Sequence, residues 1–220
     1  TTWSDYGGGA DSAQYSALTQ INKSNVSQLK IAWTYPTGTG GGYLFNPLVV
    51  DGVMYVFAKG SAIVALDAAT GRELWSHQVS TGGVTARGMN YWESPDRSER
   101  RLLFSSAQYL QAIDAKTGET IASFGTDGKV DLRQGLDRDP EGVRAQSNTP
   151  GRVFEDLIIL GSATNQEYVS APGDIRAFNV RTGALAWTFH TVPRPGEFGY
   201  ETWPQDAWKT VGGANAWGEL

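Results

Sequence analysis

Cysteine is absent from the 220 residues, which excludes disulfides and thiolate-held metals and leaves the redox compartment unread. No run approaches 18 apolar residues, so no membrane-spanning helix is encoded. Blocks of like charge are missing as well: the net charge is −5, and Lys and Arg are not clustered as a nucleic-acid footprint requires. Histidine occurs twice, with no Ser-His-Asp order; P-loop and dinucleotide fingerprints are lacking too. The run "GTGGG" at Gly38–Gly42 does not sit in the strand-turn-helix setting that a phosphate-binding glycine motif needs. The opening "TTWSDYGGGADSAQY" has neither an initiator Met nor an apolar signal core, as expected of a mature, processed or trimmed chain.

What is present is glycine (27), tryptophan (8) and tyrosine (9), a composition suited to short strands joined by tight turns. With 40% hydrophobic residues the chain can bury a real core. The phrase "ALDAATGRELW" (Ala65–Trp75) recurs as "AIDAKTGETIA" (Ala112–Ala122) and "AFNVRTGALAW" (Ala177–Trp187). Ala122 stands in the middle copy where the others have Trp. A fourth fragment, "LKIAWTYPTG" (Leu29–Gly38), resembles the closing strand alone, with Trp33 in the Trp position. Thr70 and Thr117 are 47 residues apart, and Thr117 and Thr182 are 65 apart, the spacing of propeller blades with one inserted loop.

Around the first copy the strands are legible. "PLVV" ends at the hairpin signal Asp51-Gly52, "VMYVFA" and "AIVALD" follow, and "RELWSHQV" closes the unit. The expected fold is therefore all-β, a β-propeller of four-stranded antiparallel blades. Three blades and the start of a fourth fit into residues 1–220, with no separate second domain. Ring closure takes about 4–8 blades, so the chain reads as a portion of a larger propeller or one that pairs with a second chain. The repeated phrase has an architectural job. Asp67 or Asn179 holds its own turn, Gly71 supplies positive φ, and the Trp lies over a neighbouring blade's turn.

The phrase A-x-D-x-x-T-G-x-x-x-W resembles the tryptophan-docking motif of the quinoprotein dehydrogenases, eight-bladed propellers that use pyrroloquinoline quinone (PQQ). "FNPLVVDGVMYV" (Phe45–Val56), "ARGMNYW" (Ala86–Trp92), "LIILGSATNQE" (Leu157–Glu167) and "GGANAWGEL" (Gly212–Leu220) follow in the family's order. The resemblance implies PQQ on the propeller axis beside a divalent metal, usually Ca²⁺. It further implies oxidation of an alcohol or sugar hydroxyl by hydride transfer, with electrons passed to a quinone or cytochrome, and a periplasmic location. By the same resemblance Arg87 bonds PQQ oxygens, Trp217 is the floor on which the quinone stacks, and Asn215 makes a polar cofactor contact. Ser147 bonds a PQQ carboxylate or is a plain turn serine. For the metal, an ungapped count gives Gln166 and a one-residue shift gives Glu167; carboxylate oxygen favours Glu167, which otherwise reads as a solvated loop glutamate. The family's aspartate base and its other metal ligand fall beyond Leu220, so no catalytic residue is expected here. Two departures leave the substrate open: the adjacent-cysteine disulfide of many alcohol-oxidising members cannot form, and the histidine that glucose-oxidising members carry before the arginine is missing. The competing expectation is a non-enzymatic scaffold of PQQ-like repeats that binds protein partners in outer-membrane assembly.

Three stretches are longer than blades need, Gly125–Gln146, Thr164–Gly173 and Thr191–Gly213. The last is aromatic and reads either as a rim over the axis or as a packed surface loop. "GLDRDPEG" (Gly135–Gly142) reads as a solvated turn, and His77 and His190 as packing or surface residues.

Overall fold

The computed structural model describes residues 2–9, 12–38, 45–80, 82–85, 87–165, 167–212 and 215–216. Strand formation follows the β-branched and aromatic runs. The first sheet comprises β1 (Leu48–Val50), β2 (Val53–Ala58), β3 (Ala62–Asp67) and β4 (Glu73–Gln78). The second holds β5 (Asn90–Glu93), β6 (Arg100–Ser106), β7 (Tyr109–Asp114) and β8 (Lys129–Asp131); the third holds β9 (Arg152–Phe154), β10 (Leu157–Leu160), β11 (Ile175–Asn179) and β12 (Leu185–Phe189). In each sheet the strands pair antiparallel in sequence order, the pattern of a propeller blade. Asp51, at φ 50, and Gly52, at φ 78, form the primed turn that joins β1 to β2.

Among the middle strands, β3 and β6 are buried on both faces. β3 is covered from Ala62 through Leu66, and β6 from Arg101 to Ser106. One apolar core joins the first two blades through Leu48, Ile63, Met89, Leu102 and Phe104; a second joins blades two and three through Leu103, Phe124, Leu136, Ile158 and Phe178. Neither blade buries its faces alone, so neighbours stabilise one another.

The repeated phrase builds the junctions. Asp67 Oδ1 accepts from the backbone N–H of Ala69 (3.1 Å) and Thr70 (2.9 Å), and Asp114 and Asn179 repeat this in their own turns. The glycine that follows is left-handed, with φ 77 at Gly118, and Trp75 of the preceding blade lies flat against it. Trp33 seats in the same way on Gly71 and donates its indole N–H to Ala68 O at 3.1 Å.

Two sequence expectations need correction. Residues 29–38 hold Trp33 in the docking position but form no strand, because no neighbour among the described residues offers them a ladder. In the second blade the outer strand does not follow Thr117-Gly118 directly. After the single bridge Ile113–Thr120 the chain buries Phe124, turns through Gly125 and Gly128, and only then forms β8. Gly125–Gln146 therefore contains a strand, and Val130 on that strand covers Gly183 in place of the missing Trp. Most of the expected fourth-blade start, Gly213, Ala214 and 217–220, lies outside the described residues.

Candidate functional site

In an antiparallel blade, the residues before the first strand and after the second lie at the same end of the sheet. Arg87 precedes β5, Ser147 and Thr149 precede β9, Gly161–Asn165 follow β10, and Asn215 falls where the next unit begins. These stretches meet. They line one cleft of about 510 Å³ at one end of blades two and three, together with Glu167 and Ser170.

Each side chain is placed by a local device. Arg87 stands on a turn whose Gly88 has φ 116; a Cβ there would press on Asn46 O at 3.0 Å, and Asn46 Nδ2 donates to Arg87 O at 3.3 Å. The blade-one entry thus carries the Arg87 backbone, while the Arg87 side chain is exposed. Ser147 is buried, and its hydroxyl donates to Thr149 O at 2.9 Å. The serine therefore lines the cleft and closes its own turn at once, and it presents lone pairs rather than its proton to the space beside it. Asn90, buried on β5, donates to Pro150 O at 2.6 Å and ties the blade-three entry to blade two.

Across the cleft, Asn215 Nδ2 donates to Ser162 O at 3.0 Å, which fastens the residue-215 segment to the end of β10. A Cβ at Gly161 would lie 2.9 Å from Ala216 Cβ, so glycine is needed where these two chains meet. Glu167 is exposed and receives Asn165 Nδ2 at 3.5 Å. Among the described residues it is the one carboxylate lining the cleft. Among the described residues no group of three or more His, Asp or Glu side chains is gathered to hold a metal.

Of the residues singled out in the sequence, Arg87, Ser147, Glu167 and Asn215 come together. Trp217 and Gln166 lie outside the described residues. Thr149, Ser162 and Thr164 also line the cleft and were not anticipated. Their signal is topological: each stands just before a blade's first strand or just after its second. His77 and His190 are apart from the site. His77 packs edge-on to Phe104 at 6.4 Å, and His190 Nδ1 meets Glu197 at 2.8 Å.

The chain matches the family described as "PQQ: Glucose/ethanol/alcohol dehydrogenase, beta-propeller domain" over residues 3–220. It is 32% identical over 245 residues to the dehydrogenase subunit of alcohol dehydrogenase (quinone) from Gluconacetobacter polyoxogenes, across 99% of this chain and 31% of that protein. It is 29% identical over 251 residues to quinate/shikimate dehydrogenase (quinone) from Acinetobacter baylyi, across 99% of this chain and 31% of that protein. Among solved structures, the quinohemoprotein alcohol dehydrogenase of Comamonas testosteroni superposes with a TM-score of 0.69 at 28% identity, covering 88% of this chain and 28% of that one. The chain thus spans 31% of the length of these two curated relatives. Three docked four-stranded blades and a family match over nearly every residue lead to one assignment: the chain belongs to the PQQ family of glucose/ethanol/alcohol dehydrogenase β-propeller domains.

Proposed function

We propose that this chain supplies one wall of the cofactor cleft of a PQQ-dependent dehydrogenase acting on an alcohol or sugar hydroxyl. The observation that carries the reading is the convergence of Arg87, Ser147, Glu167 and Asn215, from four separate stretches, on a single cleft. A scaffold that only binds partner proteins has no need to bring these residues together.

The donor set fits a flat, carboxylate-bearing quinone. Arg87 offers a planar fork of charged donors, the Thr149, Ser162 and Thr164 hydroxyls and the Asn148 amide add neutral ones, and Glu167 is the one acid among the described residues. Where Gly161 meets Ala216 only the Ala216 methyl fills the contact, so no larger side chain enters that edge of the cleft. Arg87 would hold carboxylate or quinone oxygens, Asn215 would contact the ring edge, and Trp217 would form the floor. Ser147 would join them once its proton turns away from Thr149 O. When bound, PQQ supplies a quinone that accepts hydride from the substrate carbon, and the protein's task is to bind, orient and polarise it.

For Ca²⁺ the fit is partial: Glu167 brings one carboxylate, and a hard cation needs several oxygen ligands. Glu167 would therefore be one ligand among others contributed by further blades, as would the aspartate base. That the chain spans 31% of this relative's length supports reading it as a portion of a larger ring, which we propose to be the N-terminal portion of eight blades. A periplasmic setting and a quinone or cytochrome acceptor complete the proposal; the relatives named as quinone-type dehydrogenases support the acceptor class.

The test is titration of the full-length protein with PQQ in the presence and absence of Ca²⁺, followed by tryptophan fluorescence, then dye-linked oxidation of a panel of alcohols and aldoses. Saturable binding that Arg87→Gln weakens about 10- to 100-fold is expected, the size of a lost charge-assisted bond. Absence of PQQ binding by the unaltered protein would overturn the reading.

A further inference from the structure

The segment after β12, residues 190–212, is held against the cleft by a group of side chains that the cofactor reading does not use. It carries a 3-10 turn (Tyr200–Thr202) and a single helical turn, α1 (Ala207–Thr210), packed around Val192, Ala207 and Val211. Its far end lies against the cleft wall. Ser170 N donates to Thr210 O at 3.1 Å and Gly173 N to Gly212 O at 2.8 Å, while Val169 bridges Val211. Contact is so close that a Cβ on Gly212 would fall 1.5 Å from Ser170 Oγ. Ser170 lines the cleft, and Asn215 follows Gly212 by three residues.

One side chain grips both partners. Arg138, from the loop between β8 and β9, donates through Nη2 to Trp208 O at 2.7 Å and to Val211 O at 3.3 Å, and through Nη1 to Ser170 O at 3.3 Å. Two of these acceptors belong to the strap and the third to the cleft wall. Arg194 supports the same point: Nη1 donates to Trp208 O at 3.4 Å, and Nη2 stands 3.3 Å from Asp137 and 3.7 Å from buried Asp174. Asp174 O in turn accepts from Ser162 Oγ at 2.9 Å, and Ser162 O accepts from Asn215. The chain of contacts therefore runs from Arg194 through Asp174 and Ser162 to Asn215.

We infer that Arg138 is a positioning residue for the cofactor cleft: its guanidinium clamps the 190–212 strap to the Ser170 wall and so sets where Asn215 and Ala216 stand. A planar fork is what the task needs. Three carbonyls on two segments are reached at once from two nitrogens of one rigid plane, a span that the single nitrogen of an ammonium does not have. The inference rests on the proposal that PQQ occupies this cleft.

The experiment uses the full-length protein, with Arg138→Met and Arg138→Lys, and three readouts: PQQ affinity by fluorescence titration, Tm, and chymotryptic cleavage after the fully exposed Phe198. If the unaltered protein does not bind PQQ, the functional reading fails and the clamp falls with it. If it binds, Arg138→Met is expected to weaken binding on the order of 10-fold with Tm changed by only about 3 °C, and to speed cleavage at Phe198. Arg138→Lys, which keeps the charge and loses the fork, is expected to fall between the two at the Tm of the unaltered protein. Unaltered PQQ affinity in either variant overturns the clamp, as does weakened binding that only tracks a fall in Tm. Should Arg138→Met fail to fold, the lysine variant decides alone.

Discussion

At the scale of the residue, His77 couples the first blade junction to pH. Burial pushes its imidazole pKa below the ordinary 6.5, against a weaker opposing pull from the Gly118 carbonyl and Glu119. A depressed histidine binds fewer protons folded than unfolded, so stability rises with pH wherever the two states differ. Its contribution is complete above pH 6.5 and is lost as pH falls from there through the lowered value. Carboxylates such as Asp67 and Asp131 are also depressed, but they titrate in a lower range, and Asp96 falls to about 2. The expected outcome is a Tm that declines between pH 7.5 and 5.5 in the unaltered chain and declines less in His77→Gln. Parallel curves, read by differential scanning fluorimetry, would remove His77 from the account. Gly118 belongs to the same junction. Its φ of 77 and the 2.6 Å from a built Cβ to Trp75 predict that Gly118→Ala costs about 1–3 kcal/mol, measurable by urea denaturation.

At the scale of the element, the blade junctions differ in how they are welded, and so in what their loss should cost. Between blades one and two, Trp75 covers the Gly118 turn and stands 5.9 Å from the Tyr55 ring. Between blades two and three, Val130 covers Gly183, and other groups share the work. Arg181 lies 4.7 Å over the Trp92 ring, the Trp92 indole donates to Glu155 O at 3.0 Å, and Arg101 Nη1 donates to Val180 O at 3.1 Å and Arg181 O at 2.7 Å. Arg181 also pairs with Glu99. Trp75→Ala is therefore expected to destabilise by about 2–3 kcal/mol and Val130→Ala by about 1 kcal/mol, compared by chemical denaturation. Equal losses would mean that the second junction depends on Val130 as the first depends on Trp75. The three turns were legible in the sequence because Asp or Asn, Thr and Gly recur at fixed offsets and each has a local task. The placement of β8 was not. It is three residues long, has no Trp to mark it, and follows a detour fixed by burial of Phe124 rather than by any period.

At the scale of the whole molecule, the site was partly legible for a different reason. Arg87, Ser147, Glu167 and Asn215 were found through a family resemblance, and the blade topology then explains why stretches so far apart meet at one end of the sheets. The clamp left no such trace, since Arg138 reaches backbone carbonyls 32, 70 and 73 residues away and carbonyls carry no sequence signature. "GLDRDPEG" accordingly read as a solvated turn, although its arginine is partly buried. In the proposed larger ring, two exposed apolar surfaces of this chain would be covered by further blades. Trp187 occupies the docking position that Trp33 and Trp75 fill in a neighbour's turn, yet it is 40% exposed, with Leu185 and Phe189 beside it on β12. On the opposite side, Leu29 and Ile31 of the segment bearing Trp33 are exposed, Ile31 to 83%. Exposed apolar groups gathered on one strand are unusual for a surface that faces water in the working protein. The 220-residue chain produced by itself is therefore expected to bind the dye ANS, and the double change Trp187→Ser with Phe189→Ser to reduce that signal with an unchanged far-UV spectrum. If a following blade covers β12, as the proposed larger ring requires, the full-length protein should show little of this dye binding. An isolated chain whose dye binding is indifferent to Trp187 and Phe189 would mean that β12 is not the face on which the next blade docks.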